Sequence, residues 1–219
     1  MLISFLISGL LVLVAYLLGS IPSGYLAARW LKGIDIREEG SGSTGATNVL
    51  RTVGKTAAVV VLLSDLFKSM VALLLVKGIY AFISPAVLEP ILPVSWQSWL
   101  VTLVAIAAVF GHSKSIFLNF TGGKSVASSL GVLLVMNPLV AFGTIAVFGV
   151  CLLVSRIVSL SSIAGAIAVN IFMIALAQPL AYEIFGLFAG IYVIWRHRTN
   201  IERLLQGTEP AIGQKLQQE

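Results

Sequence analysis

The chain has 219 residues, of which 58% are hydrophobic and only 11% charged, with a mean hydropathy of +1.00. An ordinary soluble domain carries about 25% charged residues, so this composition excludes a water-covered globule and points to a surface facing lipid. The net charge of +5 does not indicate nucleic acid, since the basic residues fall in loops with no aromatic-interleaved stripe, and the single cysteine, Cys151, excludes an intrachain disulfide.

About 20 apolar residues cross the hydrocarbon core as a helix. Taken in chain order, that length predicts spans near 2–28, 56–83, 98–114, 125–136, 139–155, 159–179 and 182–196. The predicted fold is all-α: one membrane-embedded domain, 1–219, forming a polytopic bundle of about seven helices. The first stretch, from Met1 to Gly19, lacks the positive n-region of a secretory signal and reads as a retained span with its N-terminus outside. The fourth runs only from Ser125 to Met136. At 1.5 Å per residue it reaches about 18 Å, which suits a half-helix held inside the bundle better than a straight crossing.

The positive-inside rule orients the bundle. The segments 29–55 and 112–124, the turn at Arg156, and 196–219 hold Arg29, Lys32, Arg37, Arg51, Lys55, Lys114, Lys124, Arg156, Arg196, Arg198, Arg203 and Lys215. The opposite connections, near Ser84–Gln97, Asn137–Pro138 and Gln178–Ala181, hold no Lys or Arg. The C-terminus is therefore expected in the cytoplasm.

Four polar stretches lie on the basic side. In the first, Gly40-Ser41-Gly42-Ser43-Thr44-Gly45-Ala46-Thr47-Asn48 leads to Arg51. Closely spaced glycines let the backbone turn sharply and present N–H groups to an anion, and an Arg fork with nearby hydroxyls completes such a cradle. A plain surface loop would share the Gly/Ser content; Arg51 and the following helix favour the cradle. The second stretch carries Gly122-Gly123-Lys124-Ser125 into the short helix, where unpaired N–H groups and a lysine also suit an anion. Neither is a Walker A loop, because Ala46 and Leu118 stand where its lysine and first glycine belong. The third, Arg156 to Ser162, has serines suited to capping a helix. The fourth, Arg196-His197-Arg198-Thr199-Asn200 to Leu205, suits a basic helix end snorkelling to the headgroups. His112 reads as a satisfied interfacial histidine. Asp65 and Lys68, inside the second span at i, i+3, are predicted to form a structural ion pair.

Taken together these residues resemble a known family. Gly19-Ser20-Ile21-Pro22-Ser23-Gly24-Tyr25-Leu26, the run from Gly40 to Arg51, Asp65-x-x-Lys68, Gly111-His112 with Phe117-Leu118 and Gly122-Gly123-Lys124, Val158-Ser159-Leu160, and the Arg196–Leu205 stretch occur in the order of the bacterial acyl-phosphate-dependent glycerol-3-phosphate acyltransferases. Ser69 and Ser125 stand where that pattern has glycine, and Thr121 where it has lysine. The resemblance implies a multi-pass bacterial inner-membrane enzyme with its site at the cytoplasmic face. Such an enzyme moves a fatty acyl group from acyl phosphate to the 1-hydroxyl of glycerol 3-phosphate, giving lysophosphatidic acid and phosphate. Carried over by motif position, Ser41, Arg51, Lys124, Ser159, His197 and Asn200 line the phosphate site, with Gly42, Thr47, Asn48, Gly122 and Gly123 in the same signatures. His197, Lys124, Arg51 and Asn200 are the expected catalytic groups, with His197 or a substrate phosphate oxygen as the base. No metal, cofactor or nucleic acid is expected, and the chain is expected to work as a monomer among membrane lipids. The competing function is a transporter for an anionic phosphorylated metabolite, which would need the same broken helices and basic lining but gains no support from an internal repeat.

Overall fold

A computed structural model of the chain describes residues 1–214; Lys215, expected on the basic side, lies outside the described residues. Among those residues the architecture is helical throughout, as the sequence predicts, apart from one isolated bridge between Ser115 and Thr121.

The first predicted span is two helices, α1 (Leu2–Ser20) and α2 (Ser23–Lys32). Pro22 explains the break: it has no N–H to donate and biases the residue before it away from the helical region. Ile21 accordingly sits at φ −54°, ψ 118°. Its freed carbonyl is not left bare in a low-dielectric setting, where an unpaired backbone group costs several kcal/mol. Lys68 Nζ donates to it at 2.9 Å.

Next come α3 (Ala46–Thr52), the long α4 (Lys55–Phe82) and a single-turn α5 (Pro85–Leu88). They are followed by α6 (Gln97–Ser113) and α7 (Val126–Met136). The α7 helix has 11 residues, about 16 Å at the α-helical rise, and is the predicted half-helix. Lys77 of α4 donates to the carbonyl of Val135 in its last turn, where an α-helix leaves its acceptors unpaired. Then α8 (Pro138–Ser155) starts with Pro138 at its first position and Asn137 as cap, whose Oδ1 accepts from Leu139 N at 2.9 Å and Val140 N at 3.2 Å. The remaining helices are α9 (Val158–Ala175), α10 (Leu180–Arg196) and α11 (Arg198–Leu205).

Five segments are long and apolar enough to cross a bilayer: Leu2–Lys32, Lys55–Phe82, Val94–Ser113, Pro138–Ser155 and Val158–Ala175. With α7 and the 17-residue α10 they make the predicted seven. α6 is the central post, burying Val101, Val104, Ala105 and Ala108 among Leu73, Val76, Val132, Met173 and Phe185. α8 lies outermost, with Leu153 and Val154 each 83% exposed, an apolar surface that only lipid can cover. A smaller cluster of Ala28, Ile36, Val49 and Val61 clamps the loop before α3 onto α4.

Candidate active site

The loop from Asp35 to Arg51 is organised around one side chain. Asn48 is 1% exposed; its Oδ1 accepts from Ser41 N at 3.0 Å, and its Nδ2 donates to the carbonyls of Ile36, Glu39 and Ser43 at 3.2, 2.9 and 2.9 Å. Both of its amide protons and one lone pair of its oxygen are therefore engaged inside the loop. Gly42 is an exposed turn residue at φ +67°, where only glycine is unstrained, and its N–H goes to the Glu39 carbonyl at 3.0 Å. Gly42 does not line the cavity described below, contrary to the expectation from the motif, whereas Asn48 does. Both shape the turn that presents Ser41, Thr47 and Arg51, which line the same cavity.

The second loop differs from its sequence reading in the same way. Gly122 and Gly123 do not line the cavity described below, and the Gly123 amide is already taken. Both are buried, Gly123 N donates to the His112 carbonyl at 3.2 Å, and both carbonyls accept from Arg196 Nη2, at 3.2 and 3.0 Å. A side chain at Gly123 would overlap the His112 imidazole. That ring cannot easily retreat, since its Nδ1 lies 3.0 Å from Lys68 Nζ and 3.3 Å from Asp65 Oδ1. Gly123→Ala is therefore expected to destabilise the fold by about 1–3 kcal/mol, the usual cost of overpacking, read as a lower melting temperature in detergent. Ser125 precedes α7 at φ +64°, a left-handed conformation that accounts for glycine in the family pattern; here its Oγ donates to the Val109 carbonyl at 2.8 Å.

The predicted Asp65–Lys68 pair is present at 2.7 Å, with His112 as an unforeseen third member. Lys68 also reaches the Ile21 carbonyl, so this buried cluster ties α4 and α6 to the break after α1.

The third and fourth polar stretches meet on a carboxylate that the sequence reading passed over. Ser159, Ser161 and Ser162 do not cap α9, whose N-cap is Ile157. Ser161 and Ser162 bond back to the carbonyls of Ile157 and Val158, and Ser159 Oγ donates to Glu209 Oε1 at 2.8 Å. Asn200 Nδ2 donates to the same oxygen at 2.7 Å, and Arg203 Nε to Oε2 at 2.7 Å. Asn200 Oδ1 accepts from Lys124 Nζ. The segment after α11 thus folds back as a strap, held by Ile212 N on the Arg156 carbonyl at 2.8 Å and by Arg51 Nη2 on the Pro210 carbonyl at 3.4 Å. Arg196, instead of snorkelling, binds the Gly122–Gly123 backbone.

Ser41, Thr47, Arg51, Lys124, Ser159, His197, Asn200 and Glu209 line one cavity of about 390 Å³. Its mouth is polar. Its depth is not: Leu130 and Leu133 of α7, Ile145 and Phe148 of α8, Val169 of α9 and Val193 of α10 continue the same space between the helices. Ile145 and Leu62 of α4 line it while remaining 38% and 44% exposed, so the apolar part opens sideways toward lipid.

Charge at the mouth is tuned by burial. Desolvation pushes the Lys124 ammonium down to about 8, with Glu209 opposing and Arg203, Arg196 and Arg51 adding to the drop. Burial, then the Lys124 charge, take His197 down to about 4, so it is neutral at physiological pH. Burial alone would raise Glu209, but hydrogen bonds from Asn200, Arg203 and Ser159 hold its carboxyl below the ordinary value. Lys124 carries its charge below pH 8 and loses it as pH rises through that value. For an anion-binding site kcat/KM, which reports the free enzyme, is expected to fall above pH 8. Lys124→Arg should move that limb upward, because a guanidinium stays protonated; a limb unchanged in Lys124→Arg would assign it to another group.

Comparison with known proteins identifies the family. The family model for glycerol-3-phosphate acyltransferase matches residues 9–207. The chain belongs to the glycerol-3-phosphate acyltransferase family. It is 68% identical over 213 residues to a glycerol-3-phosphate acyltransferase of Rippkaea orientalis, covering 97% of this chain and 96% of that one. It is 65% identical over 216 residues to another from Crocosphaera subtropica, covering 99% of both. Among solved structures it is similar to PlsY (YgiH), an integral membrane glycerol 3-phosphate acyltransferase, in its glycerol 3-phosphate form, with TM-score 0.83 and 37% identity over 94% of this chain and 96% of that one. The lysophosphatidic acid form of PlsY gives TM-score 0.80 at 36% identity, covering 94% and 95%. The chain is thus a multi-pass membrane acyltransferase, which displaces the transporter reading.

Proposed function

We propose that the chain transfers a fatty acyl group from acyl phosphate to the 1-hydroxyl of glycerol 3-phosphate, releasing lysophosphatidic acid and inorganic phosphate at the cytoplasmic face of the bacterial inner membrane. The observation that carries this reading is the continuity of one cavity from a cationic mouth to an apolar slot between helices. A single-chain lipid with an anionic head fits that shape, with its phosphate at Arg51 and Lys124 and its acyl chain along α7 to α10. The outward N-terminus and cytoplasmic C-terminus follow from the positive-inside rule applied to the basic end of the bundle.

Acyl phosphate is a mixed anhydride with a good leaving group, so no covalent enzyme intermediate is needed. The 1-oxygen of glycerol 3-phosphate attacks the acyl carbon, the new ester C–O bond forms, and the anhydride C–O bond breaks with its electrons going to phosphate. Arg51 and Lys124 neutralise the two anions so that they sit side by side, and proximity of this kind lowers a barrier by about 7–11 kcal/mol when geometry is near attack. The hydroxyl proton goes to a phosphate oxygen. A phosphate monoester with a second pKa near about 6 is a better base than His197 at about 4, which supports the substrate as base and His197 as an orienting group.

The test is purified protein in detergent given palmitoyl phosphate and glycerol 3-phosphate. Phosphate release that requires both substrates, with matching lysophosphatidic acid, is expected without any sealed compartment. Release independent of glycerol 3-phosphate, or acylation only from a different donor such as a thioester, would refute the assignment.

A further inference from the structure

The first turn of α7 meets the cavity with its donors free. Val126 and Ala127 line the space next to Lys124. The first N–H groups of an α-helix have no acceptor within the helix, and the side chain before them commonly caps one. Ser125, at the cap position, does not. Its Oγ donates to the Val109 carbonyl at 2.8 Å, and among the described residues the Val126 and Ala127 amides have no acceptor.

One turn on stands Ser129, 8% exposed and also lining the cavity, whose Oγ is buried with no hydrogen-bond partner among the described residues. Other hydroxyls that line the deeper cavity are paired: Ser162 Oγ donates to the Val158 carbonyl and Thr144 Oγ1 to the Val140 carbonyl, each at 2.8 Å. An unpaired hydroxyl in so apolar a place costs stability. Helical side chains lean back toward the helix N-terminus, which carries Ser129 Oγ toward the turn that holds Val126. Asp65 also lines this part, but its carboxylate is held by Lys68 at 2.7 Å.

Two amides and a hydroxyl thus offer three protons, and the partial positive charge of a helix N-terminus favours an oxygen that gains negative charge. Their place in the cavity says which oxygen. Ser129 lies between Lys124 at the mouth and Leu130 and Leu133, where the apolar slot begins. With its head at the mouth and its chain in the slot, an acyl phosphate has its acyl carbonyl at that junction. Resting on the reading that acyl phosphate is the acyl donor, we infer that Ser129 and the Val126 and Ala127 amides bind the acyl carbonyl oxygen and stabilise the oxyanion it becomes. When the 1-oxygen of glycerol 3-phosphate bonds to the acyl carbon, the carbonyl π pair moves onto this oxygen. The pair returns as the anhydride C–O bond breaks and phosphate leaves. The three donors lend hydrogen bonds and transfer no proton, so Ser129 is a catalytic residue that touches the reacting group.

The experiment compares wild type and Ser129→Ala in detergent by infrared spectroscopy, kinetics and thermal unfolding. The probe for the first is an acyl phosphonate isotopically labelled at its carbonyl carbon. Wild type is expected to hold this carbonyl at a lower stretching frequency than detergent micelles do, because preorganised donors weaken the C=O bond more than water does. In Ser129→Ala the frequency should move part of the way back, the amides keeping the rest. With palmitoyl phosphate and glycerol 3-phosphate, kcat should fall about 10- to 150-fold, the range for losing a hydrogen bond to a charged group. KM for palmitoyl phosphate should change less than about threefold, because the bond is strongest in the transition state. The melting temperature should hold or rise, since an unpaired buried hydroxyl has gone. A wild-type frequency equal to that in micelles would overturn the whole assignment. An unchanged kcat in Ser129→Ala, or an unchanged frequency, would remove Ser129 from it. A frequency that returned fully to the micelle value in that variant would remove the amides. Wild type that released no phosphate from palmitoyl phosphate and glycerol 3-phosphate would instead refute the parent reading.

Discussion

Lys124→Ala is expected to lower kcat by about 10²–10³, the measured range for deleting one preorganised donor from a site of developing negative charge. Lys124 sits between Asn200 Oδ1 and the cavity, and burial has already stripped most of its water, so its charge acts at short range on whatever anion enters. Arg51→Ala should fall in the same range, and Arg51→Lys should recover little of it, because a point charge does not reproduce a planar fork. Both variants should still insert and purify. Neither side chain is part of the buried apolar clusters, and among the described residues Arg51's single side-chain hydrogen bond is the 3.4 Å contact with Pro210. Steady-state kinetics in detergent check this; near-wild-type turnover in either variant would remove the phosphate clamp.

Lys68→Met is expected to fail differently, by losing folded protein and not by losing turnover. It would strand Asp65, 2% exposed, beside His112 and would strip the Ile21 carbonyl of its lysine donor, leaving the Ser23 amide at 3.1 Å. Removing one partner of a buried pair costs about 3–5 kcal/mol, against a total stability of roughly 5–15 kcal/mol for a typical domain. Low yield and a melting temperature lowered by many degrees should result. The double variant Asp65→Leu with Lys68→Met should recover part of the loss, since it leaves no lone charge. A single variant as stable as wild type would show that the cluster is not the tie between the broken first span and α4 and α6.

These two outcomes separate what the linear sequence discloses from what it conceals. Span number, the half-length of α7 and the gathering of basic loops at one end were legible, because apolar length and charge placement are one-dimensional quantities. Arg51, Lys124, Ser159, His197 and Asn200 were legible as members of ordered motifs, and they share a cavity. Their individual roles were less so. Asn48 lines the cavity yet spends both amide protons within its loop, and the two glycines before Lys124 lie outside the lining, with both carbonyls and the Gly123 amide bonded within the protein. A motif preserves a residue without saying whether it touches the ligand or shapes the loop that does. The break after α1 had its signal in Pro22, outweighed by an unbroken apolar run. Glu209 had almost none. It follows α11 in a short polar segment, and only the return of that strap over the site reveals why one acidic group stands among so many basic ones. The proline after it, which biases its backbone toward the extended region, was the sole local hint.

The central claim is that one pocket holds an anionic head at Arg51 and Lys124 while the attached chain runs into the slot between α7 and α10. The most direct test is a crystal or electron cryomicroscopy structure of the chain with a non-hydrolysable acyl phosphonate bound. The account predicts phosphonate oxygens within hydrogen-bonding distance of both Arg51 and Lys124, and methylenes against Leu130, Phe148 and Val169. A phosphonate bound away from that pair, or a chain lying wholly on the outer surface of α8, would contradict it.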